Sequence, residues 1–311
     1  MNWILYGLAA LAAIYIVFVA APAILMYFLI FVRKTSVPLD RRDLSQAGFA
    51  AYATEILDYI RQFDTIPFQR VSTTAHDGIE LVGDYHAGSN GRVVIFFHGY
   101  GASGRNNFFC QATQLCQQGY HVVLVCQRGH DESGGKQVLF GLEERYDVDA
   151  WMTWAQQNVP EARVLLYGTS MGAATVAYAS ANQRRERVCG MVLDCGFLSP
   201  SDALEREYVK RSLPYGLLAP YINFMMKMFH GFDIREKTTQ SLAKSEIPAL
   251  FLCGTADETV STDRVRQAYD SCAAEKELIE VSGAAHTLAY LVGGEEVQAR
   301  VAAFAERCFT N

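Results

Sequence analysis

The chain lacks a basic surplus. Its 27 lysines and arginines are outnumbered by 33 aspartates and glutamates, a net charge of -6. Nucleic-acid binding needs a clustered cationic face, so the sequence gives no electrostatic case for it. A C-x-x-C pair is also missing, and no cysteine and histidine sit at zinc-ligand spacing, which removes the usual sequence signals of structural zinc and dithiol redox chemistry. No histidine and carboxylate spacing suggests a metal, and no cofactor is expected. The eight cysteines fall largely in apolar runs. They are expected to act as small buried hydrophobes in a reducing compartment. Internal repeats and low-complexity stretches are absent, so the ~275 residues after the first thirty-odd fit one large domain.

Charge is absent altogether from Trp3 to Val32, a run of 30 residues. About 20 apolar residues cross a bilayer core as a helix, so this run is long enough to span with tilt or with a kink at Pro22. A cleaved signal peptide would start with basic residues and carry a shorter apolar stretch. Residues 1–34 therefore read as an uncleaved, single-pass anchor that meets the cell membrane through residues 3–32. Arg33, Lys34, Arg41 and Arg42 follow the span, and the positive-inside rule then favours a cytoplasmic large domain; an extracytoplasmic domain, with several cysteines oxidised, is the alternative.

Residues 35–69 read as a helical linker, with Phe49, Tyr52, Ile56, Tyr59, Ile60 and Phe63 at helical spacing within Leu44–Phe63. From residue 70 to 311, strand-like and helix-like segments alternate. Strands are predicted at 70–75, 79–86, 92–97, 121–126, 163–167, 188–193, 248–253 and 276–281. Helices are predicted at 105–118, 142–158, 171–183, 262–273 and 287–308. Asp77-Gly78 between the first two strands is a hairpin signal. Continuous apolar strands separated by helices predict a doubly wound, mostly parallel α/β sheet covered on both faces. Ligands of such sheets sit at the carboxyl ends of the strands.

Four motifs lie at those ends. Gly168-Thr169-Ser170-Met171-Gly172 falls between a strand and a helix, the context of a G-x-S-x-G nucleophile elbow. His98-Gly99-Tyr100-Gly101 follows the 92–97 strand, and the amides of Tyr100 and Met171 are the candidate oxyanion hole. His98 itself reads as a brace for that loop. Asp257, in Gly254 to Val260, is the candidate acid, with Asp194 in Asp194-Cys195-Gly196-Phe197 as its rival. His286, in Ser282 to His286, is the candidate base, because an imidazole titrates near neutrality. Residues 198–247 interrupt the alternation with a very apolar stretch from Leu217 to Phe232, read as a helical cap insertion. Pro214, Pro220, Lys227 and His230 argue against a second span there.

The order Ser170, Asp257, His286, with Arg128-Gly129-His130 and the loops above, resembles the α/β-hydrolase superfamily. More narrowly, the chain resembles membrane-anchored bacterial serine hydrolases of the serine-aminopeptidase-like and prolyl-oligopeptidase-like group. That family's pattern runs R-G-H-G-x-S, whereas Asp131 and Glu132 follow His130 here. The resemblance implies the α/β-hydrolase fold and hydrolysis through an acyl-enzyme. Substrate does not carry over from the resemblance; the expected substrate is a small-molecule or lipid-like carboxylic ester, the lipid-like reading resting on the apolar anchor and the apolar cap together. A serine peptidase or aminopeptidase on the same residues is the alternative within the class. A catalytically silent, membrane-tethered binding protein is the alternative outside it.

Overall fold

The computed structural model describes residues 2–37, 49–160, 162–184, 186–210, 212 and 214–310. Arg41 and Arg42, and the 38–48 part of the predicted linker, lie outside the described residues. The strands are β1 (Gln69–Thr74), β2 (Glu80–His86), β3 (Arg92–Phe97), β4 (His121–Val125), β5 (Arg163–Thr169), β6 (Val188–Asp194), β7 (Ala249–Gly254) and β8 (Lys276–Val281). The helices are α1 (Asn2–Tyr15), α2 (Ala21–Phe31), α3 (Ala53–Phe63), α4 (Gly104–Gln117), α5 (Asp147–Asn158), α6 (Met171–Ala179), α7 (Pro200–Lys210), α8 (Tyr215–His230), α9 (Thr238–Leu242), α10 (Thr262–Ser271), α11 (Ala289–Val292) and α12 (Gly294–Thr310).

The chain divides into two compact units, one of Met1–Val32 with Ser199–Glu236, the other of Arg33–Leu198 with Lys237–Asn311. The larger unit holds one eight-stranded sheet in the order β1-β2-β4-β3-β5-β6-β7-β8. β1, β2 and β4 pair antiparallel and the other pairs are parallel. β1 and β2 are joined through Asp77-Gly78, where Gly78 takes a φ of 81° that glycine adopts without steric cost. Strand burial follows the sequence pattern: β2 alternates, while β6 and β7 are buried throughout. On one face Val94, Phe96, Tyr167, Val192, Leu250 and Leu252 share a core with Phe108, Tyr290 and Phe304. On the other, Leu193 and Phe251 meet Ala173, Ala177, Val265 and Ala268 of α6 and α10. The small residues of α6 let that helix lie close to the sheet.

Three helices depart clearly from the prediction, and the one expected over 171–183 is α-helical only to Ala179, with a 3-10 turn at Ser180–Asn182. The one expected over 142–158 begins with a 3-10 turn and becomes α-helical at Asp147. The closing helix expected over 287–308 is broken at Gly293–Gly294, where Gly294, at the very start of α12, takes a φ of 54°, outside the α-helical range.

In the smaller unit, α1 and α2 form one run through a π-helical turn, Ile16–Ala20, in which the Ala21 N–H donates to the Ile16 carbonyl. Pro22 explains the turn. It has no N–H to give, and its ring crowds the carbonyl four residues back, so the helix widens ahead of it. Most of the apolar stretch Trp3–Phe31 is exposed within the chain. Its buried residues Ala23, Tyr27 and Phe31 belong to α2, which packs on α8. Tyr27 Oη lies 2.8 Å from His230 Nε2, and the rings of Tyr15 and Tyr221 meet edge to face at 5.8 Å. α8 turns Leu218, Ile222, Met225 and Met226 inward, while Leu217, Phe224, Met228 and Phe229 stay exposed.

Candidate active site

The site is built at the carboxyl ends of β3, β5, β7 and β8. β5 turns into α6 at Ser170, whose φ is 54° and ψ -113°. A side chain in that region costs of order 1–3 kcal/mol and persists only where its surroundings hold it. Here the Ser170 N–H donates to the Asp194 carbonyl on the neighbouring strand at 2.8 Å. The flanking glycines are steric necessities. A Cβ on Gly168 would meet the Gly172 carbonyl oxygen at 2.3 Å, and one on Gly172 would meet the Phe97 carbonyl oxygen at 1.7 Å.

Ser170 Oγ lies 2.9 Å from His286 Nε2, and His286 Nδ1 lies 2.6 Å from Asp257 Oδ2. A carboxylate only accepts, so Nδ1 carries the proton and Nε2 is left to accept from the serine hydroxyl. The other Asp257 oxygen accepts the Thr259 and Val260 amides at 2.7 and 2.8 Å, which fixes the carboxylate. Its side chain is fully buried, whereas that of His286 keeps 23% exposure, so the ring is held from within yet reaches solvent. The loops after β7 and β8 cross closely: the Ala256 N–H donates to the Ala284 carbonyl at 3.0 Å. A Cβ on Gly254 would lie 2.1 Å from that same oxygen.

The loop after β3 lies beside the serine, since a Cβ on Gly99 would sit 3.4 Å from Ser170 Cβ. The amide of Gly99 donates to Asn107 Oδ1 at 2.8 Å and that of Gly101 to His130 Nε2 at 3.1 Å. Tyr100 sits between these two committed donors. Met171 is the first residue of α6, where helix amides have no intrahelical acceptor and the helix dipole is positive.

His98 is fully buried and both ring nitrogens are engaged, Nδ1 with the Gly99 carbonyl at 2.7 Å and Nε2 with the Gln127 amide at 3.0 Å. Burial pushes its imidazole down to about 3, with His130 adding to the effect. Asp194 makes no hydrogen bond to His286. It is fully buried, neither carboxylate oxygen meets a hydrogen-bond partner among the described residues, and burial pushes it up to about 7, with the Cys195 thiol opposing and Asp257 adding to the effect.

Arg128 is buried against Asp147, at 2.7 Å, and Asp77, at 2.9 Å. Two groups of metal-type donors occur among the described residues, Cys195 with Asp257 and His286, and His76 with Asp77 and Glu143. In the first, Asp257 and His286 are already joined to each other at 2.6 Å. In the second, Arg128 is ion-paired with Asp77 at 2.9 Å and with Glu143 at 3.4 Å. A further set of contacts had no motif to announce it: Ser36 is held by Asp131, the residue that departs from the R-G-H-G-x-S pattern.

A family model described as serine aminopeptidase, S33, matches residues 88–230. The uncharacterized protein YqkD of Bacillus subtilis is 21% identical over 289 residues, covering 91% of each chain. The uncharacterized membrane protein YNL320W of Saccharomyces cerevisiae is 25% identical over 228 residues, covering 71% of this chain and 74% of its own. Among solved structures, the Pyrococcus furiosus esterase Pf2001 superposes with a TM-score of 0.69 at 22% identity, over 90% of this chain and 98% of the esterase. The sheet order and the superposition agree that the chain has the α/β-hydrolase fold, and the matched family model lies within that domain.

Proposed function

We propose that this chain is a serine hydrolase that cleaves carboxylic esters through an acyl-enzyme on Ser170, His286 and Asp257. The observation that carries the reading is the unbroken line from Ser170 Oγ through His286 to Asp257, at 2.9 and 2.6 Å. Oγ attacks the ester carbonyl while its proton passes to Nε2. Asp257 stabilises the imidazolium that forms. The amides of Met171 and Tyr100 receive the oxyanion. Nε2 then returns the proton to the leaving alkoxide, and the carbonyl re-forms as the acyl–Oγ ester. Water, deprotonated by the same nitrogen, releases the acid and restores the serine. No step calls for a metal or cofactor.

We further propose that the chain is held at a membrane through its apolar helix and takes lipid-like esters there. The 29-residue stretch Trp3–Phe31 supports this, as does the exposed apolar side of α8 in the same unit. A relative whose name says membrane protein points the same way.

The test is fluorophosphonate labelling of the full chain in detergent, with Ser170→Ala as control, followed by nitrophenyl esters of rising acyl length beside aminoacyl anilides. Labelling lost in Ser170→Ala, with ester turnover exceeding anilide turnover, is expected. Anilide turnover above ester turnover would replace the esterase reading with the aminopeptidase one, which the matched family's description favours. A wild-type chain that takes no label would end the hydrolase reading.

A further inference from the structure

Arg33–Val37, the segment that follows the apolar helix in sequence, is bound on the loop after β4. The Arg33 and Lys34 amides donate to the carbonyls of Lys136 and Gly129, each at 2.8 Å, and the Asp131 amide donates back to the Lys34 carbonyl at 3.0 Å. Arg33 Nη1 reaches the Ser133 and Gly135 carbonyls at 2.6 and 2.9 Å. Both Asp131 oxygens are used on one residue: Oδ1 accepts the Ser36 amide and Oδ2 its hydroxyl, each at 2.7 Å. Asn106 at the start of α4 donates to the Val37 carbonyl at 2.5 Å.

The same loop faces the serine on its other side. His130 is fully buried, and its Nε2 accepts the Gly101 amide at 3.1 Å while its Nδ1 meets the Arg128 carbonyl at 3.1 Å. Lys34 Nζ lies 5.0 Å from the centroid of the Tyr100 ring, a cation over an aromatic face. That ring stacks on Phe140 at 5.0 Å. So one short segment touches the residue before Gly101 directly, and touches the Gly101 amide through the loop that carries His130.

We propose that Arg33–Val37 is a strap that positions the Tyr100–Gly101 segment for catalysis, with Asp131 as its receptor. This explains the departure from the family pattern. Residue 131 takes a φ of 35°, a region glycine enters freely and aspartate tolerates better than most residues. Aspartate adds the two acceptors that a glycine there would lack. The role is one of positioning, since Asp131 acts on the oxyanion loop through Lys34 and His130. It rests on the reading of the Tyr100 amide as an oxyanion donor.

The experiment compares full-length wild type, Asp131→Ala, Asp131→Asn and Ser36→Ala in the same detergent. Three readouts are taken: kcat and KM on a nitrophenyl ester after active-site titration, fluorophosphonate labelling rate, and hydrogen exchange of peptides covering residues 98–105. Loss of a whole oxyanion donor costs ~10²–10³-fold in kcat, and a displaced donor costs less. Asp131→Ala is expected to lower kcat and labelling rate about tenfold with KM little changed. Exchange at residues 98–105 should quicken. Asp131→Asn keeps one acceptor and should recover part of both losses, and Ser36→Ala should fall between it and wild type. A lowered melting temperature with unchanged kcat per titrated site and unchanged exchange overturns the proposal. Faster exchange in Asp131→Ala, in a chain whose wild type takes no label, would uphold the strap while refuting the catalytic reading of Tyr100.

Discussion

β5 and β6 lie side by side and end alike, each turning on a non-glycine residue with positive φ, Ser170 at 54° and Cys195 at 46°. Thr169 pairs with Asp194, and the Ser170 amide donates to the Asp194 carbonyl. The chemistry at the two turns is opposite. At β5 the strained residue presents a hydroxyl that meets an imidazole at 2.9 Å. At β6 the strained residue is buried, its amide is pinned to the Leu252 carbonyl at 2.8 Å, and among the described residues the preceding acid has no hydrogen-bond partner for either oxygen. Backbone strain of one kind thus serves two ends. One strand end turns the Ser170 hydroxyl towards His286, the proposed nucleophile and base, and its neighbour is the fixed abutment against which that turn is held. Strain alone marks neither as functional; partners decide.

The acids attached to these ends give the sharpest contrast. Asp257 is fixed by two amides and bound to His286 at 2.6 Å, so Asp257→Asn removes the charge that holds the tautomer. A drop of roughly 10³–10⁴ in kcat is expected, with an unchanged melting temperature. Asp194→Asn should leave kcat within about threefold, because its carboxyl reaches no reacting group. Equal losses in the two variants, measured on titrated enzyme, would erase the distinction between the strand ends. The glycines beyond each turn come next in size. A Cβ on Gly172 meets backbone at 1.7 Å, one on Gly196 meets the Ala173 side chain at 2.9 Å. Gly172→Ala should cost about 3 kcal/mol or more and Gly196→Ala about 1–2 kcal/mol. Urea unfolding checks both, and a Gly172→Ala chain as stable as wild type would mean that α6 does not press on β3 as described.

Much of this arrangement is legible in the residues alone. Runs such as R-V-V-I-F-F at 92–97 are too apolar for a half-exposed strand, which is why their ends fall within a residue or two of β3, β5, β6 and β7. Ser170, Asp257 and His286 stand out because each follows such a run in a glycine-containing turn, and they come together within hydrogen-bond distance. What escaped notice has no local period. The grouping of Met1–Val32 with Ser199–Glu236 depends on contacts such as Tyr27 with His230, 203 positions apart. The clasp of Ser36 by Asp131 spans 95 positions, and its sequence trace is a single residue that fails to be glycine. The π turn was half visible: Pro22 announces a distortion, but its form depends on where the widened turn is accommodated.

The smallest expected effect concerns the pH dependence of the abutment. Burial raises Asp194 from its ordinary 3.8 to about 7, with Asp257 adding to the shift. A group raised on folding stabilises the chain fully below its unfolded value, and that contribution is lost as pH rises towards the folded one. Between about pH 4 and about pH 7 the wild type therefore loses stability on this account, at a slope of at most about 1.4 kcal/mol per pH unit. Asparagine does not titrate, so Asp194→Asn lacks this slope. Its own amide adds an offset that does not vary with pH. Neutral His98, lowered to about 3, gives a slope of the opposite sign below its ordinary 6.5, but it does so in both proteins and drops out of the difference. Urea midpoints for the pair, taken at several pH values, should move in favour of the variant as pH rises and level off above about 7. A constant difference across that range would mean that Asp194 is ionised throughout, and that a partner for its carboxylate exists at the end of β6.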